Sequence, residues 1–171
     1  MCAWASDYSG EGRESGGYLY GKRLSSKSKH TLGPREPDVL EVTFAAYAGE
    51  GTQRGRYSLD HDLEYGRSVE RTLRRWGLRR LVGDYHSHPD GGGVPSPGDL
   101  RGWLRSFQLL GVQSDYRSDR LLGDEVTPDC YVGMIVTRSA GGSWAWPQLH
   151  AWITRQENDG VVCEPALLTD Y

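Results

Sequence analysis

The stretch Gly83-Asp84-Tyr85-His86-Ser87-His88-Pro89-Asp90-Gly91-Gly92-Gly93-Val94-Pro95-Ser96-Pro97-Gly98-Asp99 decides both the fold and the chemistry of this chain. From Leu78 to His88 the β-formers Leu81, Val82 and Tyr85 predict a strand, which Pro89 ends. His86 and His88 lie two apart on it, so their imidazoles project from one face and can grip an ion from one side. The Gly- and Pro-rich loop then turns back and brings Asp99 to the start of a helix expected from Pro97 to Leu110, with Leu100, Trp103, Leu104 and Phe107 on one face. Two neutral imidazoles and a carboxylate suit zinc and leave its fourth position to water, which signals catalysis rather than structure. The same residues also have a plainer reading, with Ser96 as helix N-cap, Pro97 in the first turn and Asp99 favourable to the helix dipole. Asp84 shares the His86 face and is given a supporting role at most. His30, His61 and His150 have no such company and read as idle.

Working outward, a first strand is expected at Gly17 to Leu24, followed by a polar Ser/Lys-rich loop through Pro37. A second fits Val39 to Ala48, where Leu40, Val42, Phe44 and Ala46 alternate with Glu41, Thr43 and Ala45. A helix from Leu63 to Trp76 carries Leu63, Val69, Leu73 and Trp76 at helical spacing. After the second helix, Gly111 to Asp129 is polar and reads as a surface excursion. Tyr131 to Thr137 and Gln148 to Thr154 read as strands separated by a Gly141-Gly142 turn, and Asn158-Asp159-Gly160 suits a hairpin into Val161 to Cys163. The expectation is one α/β (α+β) domain with a mixed sheet, residues 14–171, behind a lead-in segment of residues 1–13.

The 171 residues are enough to bury a continuous core, and 37% hydrophobic with 25% charged residues is ordinary for a soluble protein, which argues against disorder over most of the length. No apolar run approaches the roughly 20 residues of a membrane span and no signal peptide is apparent, so a cytoplasmic location is expected. Cys2, Cys130 and Cys163 are odd in number and widely spaced, and suggest neither a disulfide framework nor a thiolate metal site. A formal charge of -3 gives no global pull toward nucleic acid or anionic lipid, and neither is expected as a partner. The local exception is Arg67, Arg71, Arg74, Arg75, Arg79 and Arg80, either a contact for an acidic partner or the solvated face of the first helix.

A zinc hydrolase also needs a base for its water, and Glu11 and Glu14 are the upstream candidates. Glu14 precedes Ser15-Gly16-Gly17 at the mouth of the first strand, but spacing alone does not decide between them. Taken together, Glu14-Ser15-Gly16-Gly17-Tyr18-Leu19-Tyr20-Gly21, Gly83-Asp84-Tyr85-His86-Ser87-His88-Pro89 and Pro95-Ser96-Pro97-Gly98-Asp99 resemble the signature of the JAMM metalloproteases, of bacterial stand-alone type, over roughly Glu14 to Ile153. That signature is a Glu leading into a strand, then His-Ser-His-Pro, then Ser-x-x-Asp.

The resemblance implies a JAB/MPN domain, cytidine-deaminase-like, with a mixed sheet flanked by helices. It implies His86, His88 and Asp99 as zinc ligands, Glu14 rather than Glu11 as general acid/base, and Ser96 as a hydroxyl that helps hold the oxyanion. The implied substrate is a ubiquitin-like protein or its conjugate, cleaved after its C-terminal tail. Two activities fit: deconjugation beside activating- and conjugating-enzyme-like partners, as in antiphage systems, and trimming of ubiquitin-like sulfur carriers. The first is favoured. Competing readings are a non-catalytic MPN-type scaffold and a DNA-repair-associated relative that would use the arginines. The chain departs from the family at its N-terminus, where a strand and a helix usually precede the Glu. Gly111 to Asp129 lies where related isopeptidases carry a substrate-touching insertion, and is either such a segment or an idle loop.

Overall fold

The computed structural model describes residues 12–24, 39–76, 80–90, 92–116, 130–143, 147–157 and 160–169. In chain order these form β1 (Gly16–Leu24), β2 (Val39–Tyr47), β3 (Gln53–Arg54), β4 (Leu59–Asp60), α1 (Leu63–Arg75), β5 (Arg80–Ser87), α2 (Pro97–Tyr116), β6 (Cys130–Thr137), β7 (Gln148–Glu157) and β8 (Gly160–Ala166). Six strands make one sheet in the order β2-β1-β5-β6-β7-β8, and β3 with β4 forms a separate small hairpin. Only β5 and β6 pair in parallel; the other neighbours are antiparallel. A parallel pair needs a crossover, and α2 lies on it. All eight residues of β6 are buried, as a strand covered on both faces requires.

Register places Tyr18, Asp84, Gly133 and Trp152 in one row across the sheet, and Gly16, His86, Ile135 and His150 in another. Both helices sit on the face these rows share. On α1, Tyr65, Val69 and Leu73 pack against Tyr18, Tyr20, Ala46 and Leu81, while Tyr18 and Tyr20 donate their hydroxyls to the Asp62 and Gly66 carbonyls. On α2, Trp103 and Phe107 pack against Tyr131, Ile135 and Trp152. The opposite face gathers Leu19, Val82, Tyr85, Val132, Met134 and Val136, all buried. Arg67, Arg71 and Arg75 point outward from α1, which is the solvated-face pattern of an amphipathic helix.

Several boundaries differ from the sequence expectations. The second helix runs to Tyr116 rather than Leu110, so the first residues of the expected excursion at Gly111 are helical and residues 117–129 lie outside the described residues. A glycine inside a helix costs only about 1 kcal/mol, which α2 absorbs at Gly111. β7 continues to Glu157 and β8 to Ala166, since ion pairs from Arg155 to Glu157 and Glu164 support the pairing where apolar alternation stops. The hairpin β3–β4 was not anticipated at all. Cys130 is buried and Cys163 exposed, and neither forms a disulfide among the described residues. No helix among the described residues is long and apolar enough to cross a membrane. Residues 1–11, most of the expected lead-in, with Cys2 and Glu11, and residues 25–38, with His30, also lie outside the described set.

Candidate metal centre

His86 is the penultimate residue of β5, and His88 stands just past the strand's end, where its N–H still bonds the Val136 carbonyl of β6 at 3.0 Å. Asp99 is the third residue of α2. Its position is set by a reciprocal cap: the Ser96 N–H donates to Asp99 Oδ2 at 2.6 Å and the Asp99 N–H donates to Ser96 Oγ at 3.2 Å. The plain helix-start reading is thus met, and the same geometry leaves Asp99 beside the two imidazoles. His86 Nε2 lies 3.0 Å from His88 Nε2 and 3.2 Å from Asp99 Oδ1, while His88 Nε2 lies 3.4 Å from Asp99 Oδ2.

These separations test whether an ion fits. Four-coordinate zinc with bonds of about 2.0–2.1 Å has ligand-to-ligand edges of about 3.3 Å in a tetrahedron, and the three observed edges bracket that value. His88 Nδ1 lies 2.6 Å from the Gly92 carbonyl, which can only accept, so Nδ1 carries the proton and Nε2 keeps its lone pair for a metal. His86, His88 and Asp99 are placed so that they could hold a metal ion. Burial pushes the Asp99 carboxyl up, but hydrogen bonds with both histidines outweigh it and hold the group well below the usual carboxylate range. Burial pulls the His88 imidazole down, and Asp99 and the Gly92 carbonyl more than offset this, leaving it above its ordinary value.

Glu14, two residues before β1, is near enough to the three for their charges to act on its carboxyl. Ser15 is locked to the end of β5 by two bonds, its N–H to Ser87 Oγ at 2.9 Å and its carbonyl to the Ser87 N–H at 2.6 Å. The Glu14 N–H donates to the Gly55 carbonyl of the β3–β4 hairpin at 2.8 Å. Held on both sides, the residue is 7% exposed. Burial raises its carboxyl above the ordinary value; His86 and His88 draw it down and Asp99 pushes it up, so the carboxyl feels the charge of all three candidate ligands. Gly16 permits this approach, because a Cβ there would stand 2.1 Å from the Tyr85 carbonyl and 2.9 Å from His86 Cα.

The family model of prokaryotic homologs of the JAB domain matches residues 3–157. The chain belongs to this family. The solution structure of a protein from Desulfitobacterium hafniense superimposes with a TM-score of 0.55 at 19% identity, over 100% of this chain and 87% of that one, a likeness of fold. No curated protein matches this chain.

Around the candidate ligands this JAB-domain chain places Asp84, expected in a supporting role at most, and two histidines that the sequence left idle. Asp84, buried two residues before His86, accepts hydrogen bonds from Trp103 and Tyr131. His150, expected to be idle, ends the row that contains His86; its Nε2 is 3.2 Å from Thr137 Oγ1, and its ring fills the space that a side chain at Gly93 would need. His61, also expected to be idle, lies 5.0 Å from the Tyr18 ring in a tilted arrangement, and its Nε2 is buried with no hydrogen-bond partner among the described residues. Burial holds its imidazole below the ordinary value, with Asp84 pulling up and His86 pushing down. Neither histidine follows a motif; only the strand register and the approach of the hairpin reveal where they sit.

Proposed function

We propose that this JAB-domain protein is a zinc-dependent peptidase or isopeptidase that cleaves after the C-terminal tail of a ubiquitin-like protein, by deconjugation or by precursor processing. The observation that carries the reading is the triangle of His86, His88 and Asp99 at tetrahedral edge lengths with the buried Glu14 carboxyl beside it. Zinc is favoured by the donor set, and when bound it would lower the pKa of a water toward neutrality and polarise a carbonyl. His86 and His88 supply neutral imidazole donors and Asp99 the compensating negative charge. Glu14 takes the proton of the attacking water; a carboxyl raised by burial is a stronger base than an exposed one and keeps the proton it has taken for the next step. It returns the proton to the departing amine, which leaves poorly without it. Ser96 Oγ accepts from the Asp99 N–H and keeps its own proton to donate to the developing oxyanion. Activating- and conjugating-enzyme-like partners, as in antiphage systems, belong to the same reading.

The test is a Glu14→Gln variant assayed on a fusion to a ubiquitin-like protein ending in Gly-Gly. Zinc content should equal the parent's, while cleavage falls by about 100- to 10,000-fold. Cleavage at the parent rate would remove Glu14 from its role.

A further inference from the structure

The three candidate ligands come from two elements, His86 and His88 from β5 and its end, Asp99 from α2. The segment that joins them carries Gly91, Gly92 and Gly93, which restrict the backbone least of all residues. Something else must set the distance between strand and helix. Directly beneath the ligands, Trp103 Nε1 donates to Asp84 Oδ1 at 2.9 Å, and the Tyr131 hydroxyl donates to Asp84 Oδ2 at 2.5 Å. Asp84 precedes His86 by two residues on the same strand face, and Trp103 follows Asp99 by one helical turn. Each end of the Asp84–Trp103 bond therefore belongs to an element that carries ligands.

The surroundings leave the indole little freedom. Asp84, Trp103 and Tyr131 are 7%, 2% and 3% exposed. The Trp103 ring lies 6.2 Å from the His86 ring on one side and stacks 5.9 Å from Trp152 on the other. It rests on Gly133, where a Cβ would come within 2.0 Å of it. A buried carboxylate is a poor source of net stability; what its two directed bonds provide is a fixed rotation of the indole, and through it a fixed seat for the first turns of α2.

We infer that Asp84 and Trp103 are a positioning pair that holds Asp99 at ligand distance from His86 and His88, with Tyr131 orienting the carboxylate. The inference rests on reading those three residues as a metal centre. None of the pair touches substrate; they act through the ligands.

The test compares the purified parent with Trp103→Phe, Asp84→Asn, Tyr131→Phe and the double variant of Asp84 and Trp103. Trp152→Phe serves as a control that alters the same aromatic stack without breaking the bond. Zinc affinity is measured by competition with a chromogenic chelator, ligand geometry by the visible absorption of the cobalt(II) forms, and folding by thermal melting of the chelated proteins. Trp103→Phe keeps most of the packing and loses the N–H, so it should bind zinc about 10- to 100-fold more weakly and show a changed cobalt spectrum. Tyr131→Phe should shift both readouts in the same direction by less. The double variant should lose no more than the worse single one, as expected when both changes break one bond, and Trp152→Phe should match the parent. A folded Trp103→Phe with the parent's affinity and spectrum overturns the pair; should that variant fail to fold, unchanged affinity and spectrum in Tyr131→Phe do so. A parent that takes up no zinc overturns the metal centre as well, which separates the two failures.

Discussion

Two helices start on the same face of the sheet, each with an aspartate capping its first turn, yet only one of those carboxylates meets imidazoles. At α1, Asp62 Oδ1 accepts the Tyr65 N–H at 3.0 Å and Oδ2 accepts the Gly51 N–H at 3.2 Å, so both oxygens serve the backbone. At α2, Asp99 gives Oδ2 to the Ser96 N–H at 2.6 Å and turns Oδ1 toward His86 at 3.2 Å. The capping chemistry is alike; the difference lies in what faces the cap, a glycine loop in one case and the end of β5 in the other. The candidate ligand at α2 is a capping carboxylate with the right neighbours.

Exchanging the two aspartates for asparagine should break the comparison most sharply. Asp99→Asn should cost more zinc affinity than the roughly 10- to 100-fold typical of losing an outer partner, while Asp62→Asn should leave affinity at the parent value, both read by chelator competition. Next in size is a pair of glycines that seat aromatic rings, Gly133 under Trp103 and Gly66 beside Tyr18, where an added Cβ would meet ring atoms at 2.0 and 2.7 Å. Gly133→Ala should lower unfolding stability by about 1–3 kcal/mol in urea titration and weaken zinc binding. Gly66→Ala should lose less, because alanine in a helix returns about 1 kcal/mol, and should not affect zinc.

A smaller loss, about 1 kcal/mol, is expected for Asp62→Ala in the same titration, the usual cost of a helix cap. The smallest effect is a pH dependence in the chelated protein. His88 is raised in the fold, so its contribution is complete below the unfolded value of about 6.5 and is lost as pH rises through the folded one. Asp99 is depressed, so its contribution is present above about pH 3.9 and is lost as pH falls toward the folded value. Melting temperature of the chelated parent relative to Asp99→Asn should therefore be highest between about pH 4 and 6.5, and a difference that stays the same on both sides of that window would remove the ion pair from the account.

The His86-to-Asp99 stretch was legible because strand, loop and helix start follow one another along the chain, and each has a local signature. Glu14 was less so: its choice over Glu11 came from a family likeness, and what locks it, the bonds of Ser15 to Ser87 and of Glu14 to Gly55, joins residues far apart in sequence. Trp103 and Tyr131 lie 19 and 47 positions from Asp84, so no periodicity could pair them before the parallel register of β5 and β6 was known. The hairpin β3–β4 escaped because two-residue strands leave no alternation to detect. Gly111 looked like a helix stop, and polar residues after it looked like loop; a packed helix can carry both.

The reciprocal cap at Ser96 and Asp99 has a kinetic side. The first turn of a helix is where fraying begins, and amides there usually exchange with solvent fastest. In this chain the side chain that closes that turn is also one that an ion would hold from outside. An ion held there would couple its release to the opening of the turn, and the exchange rates of the Asp99 and Leu100 amides, compared with and without zinc, would measure that coupling.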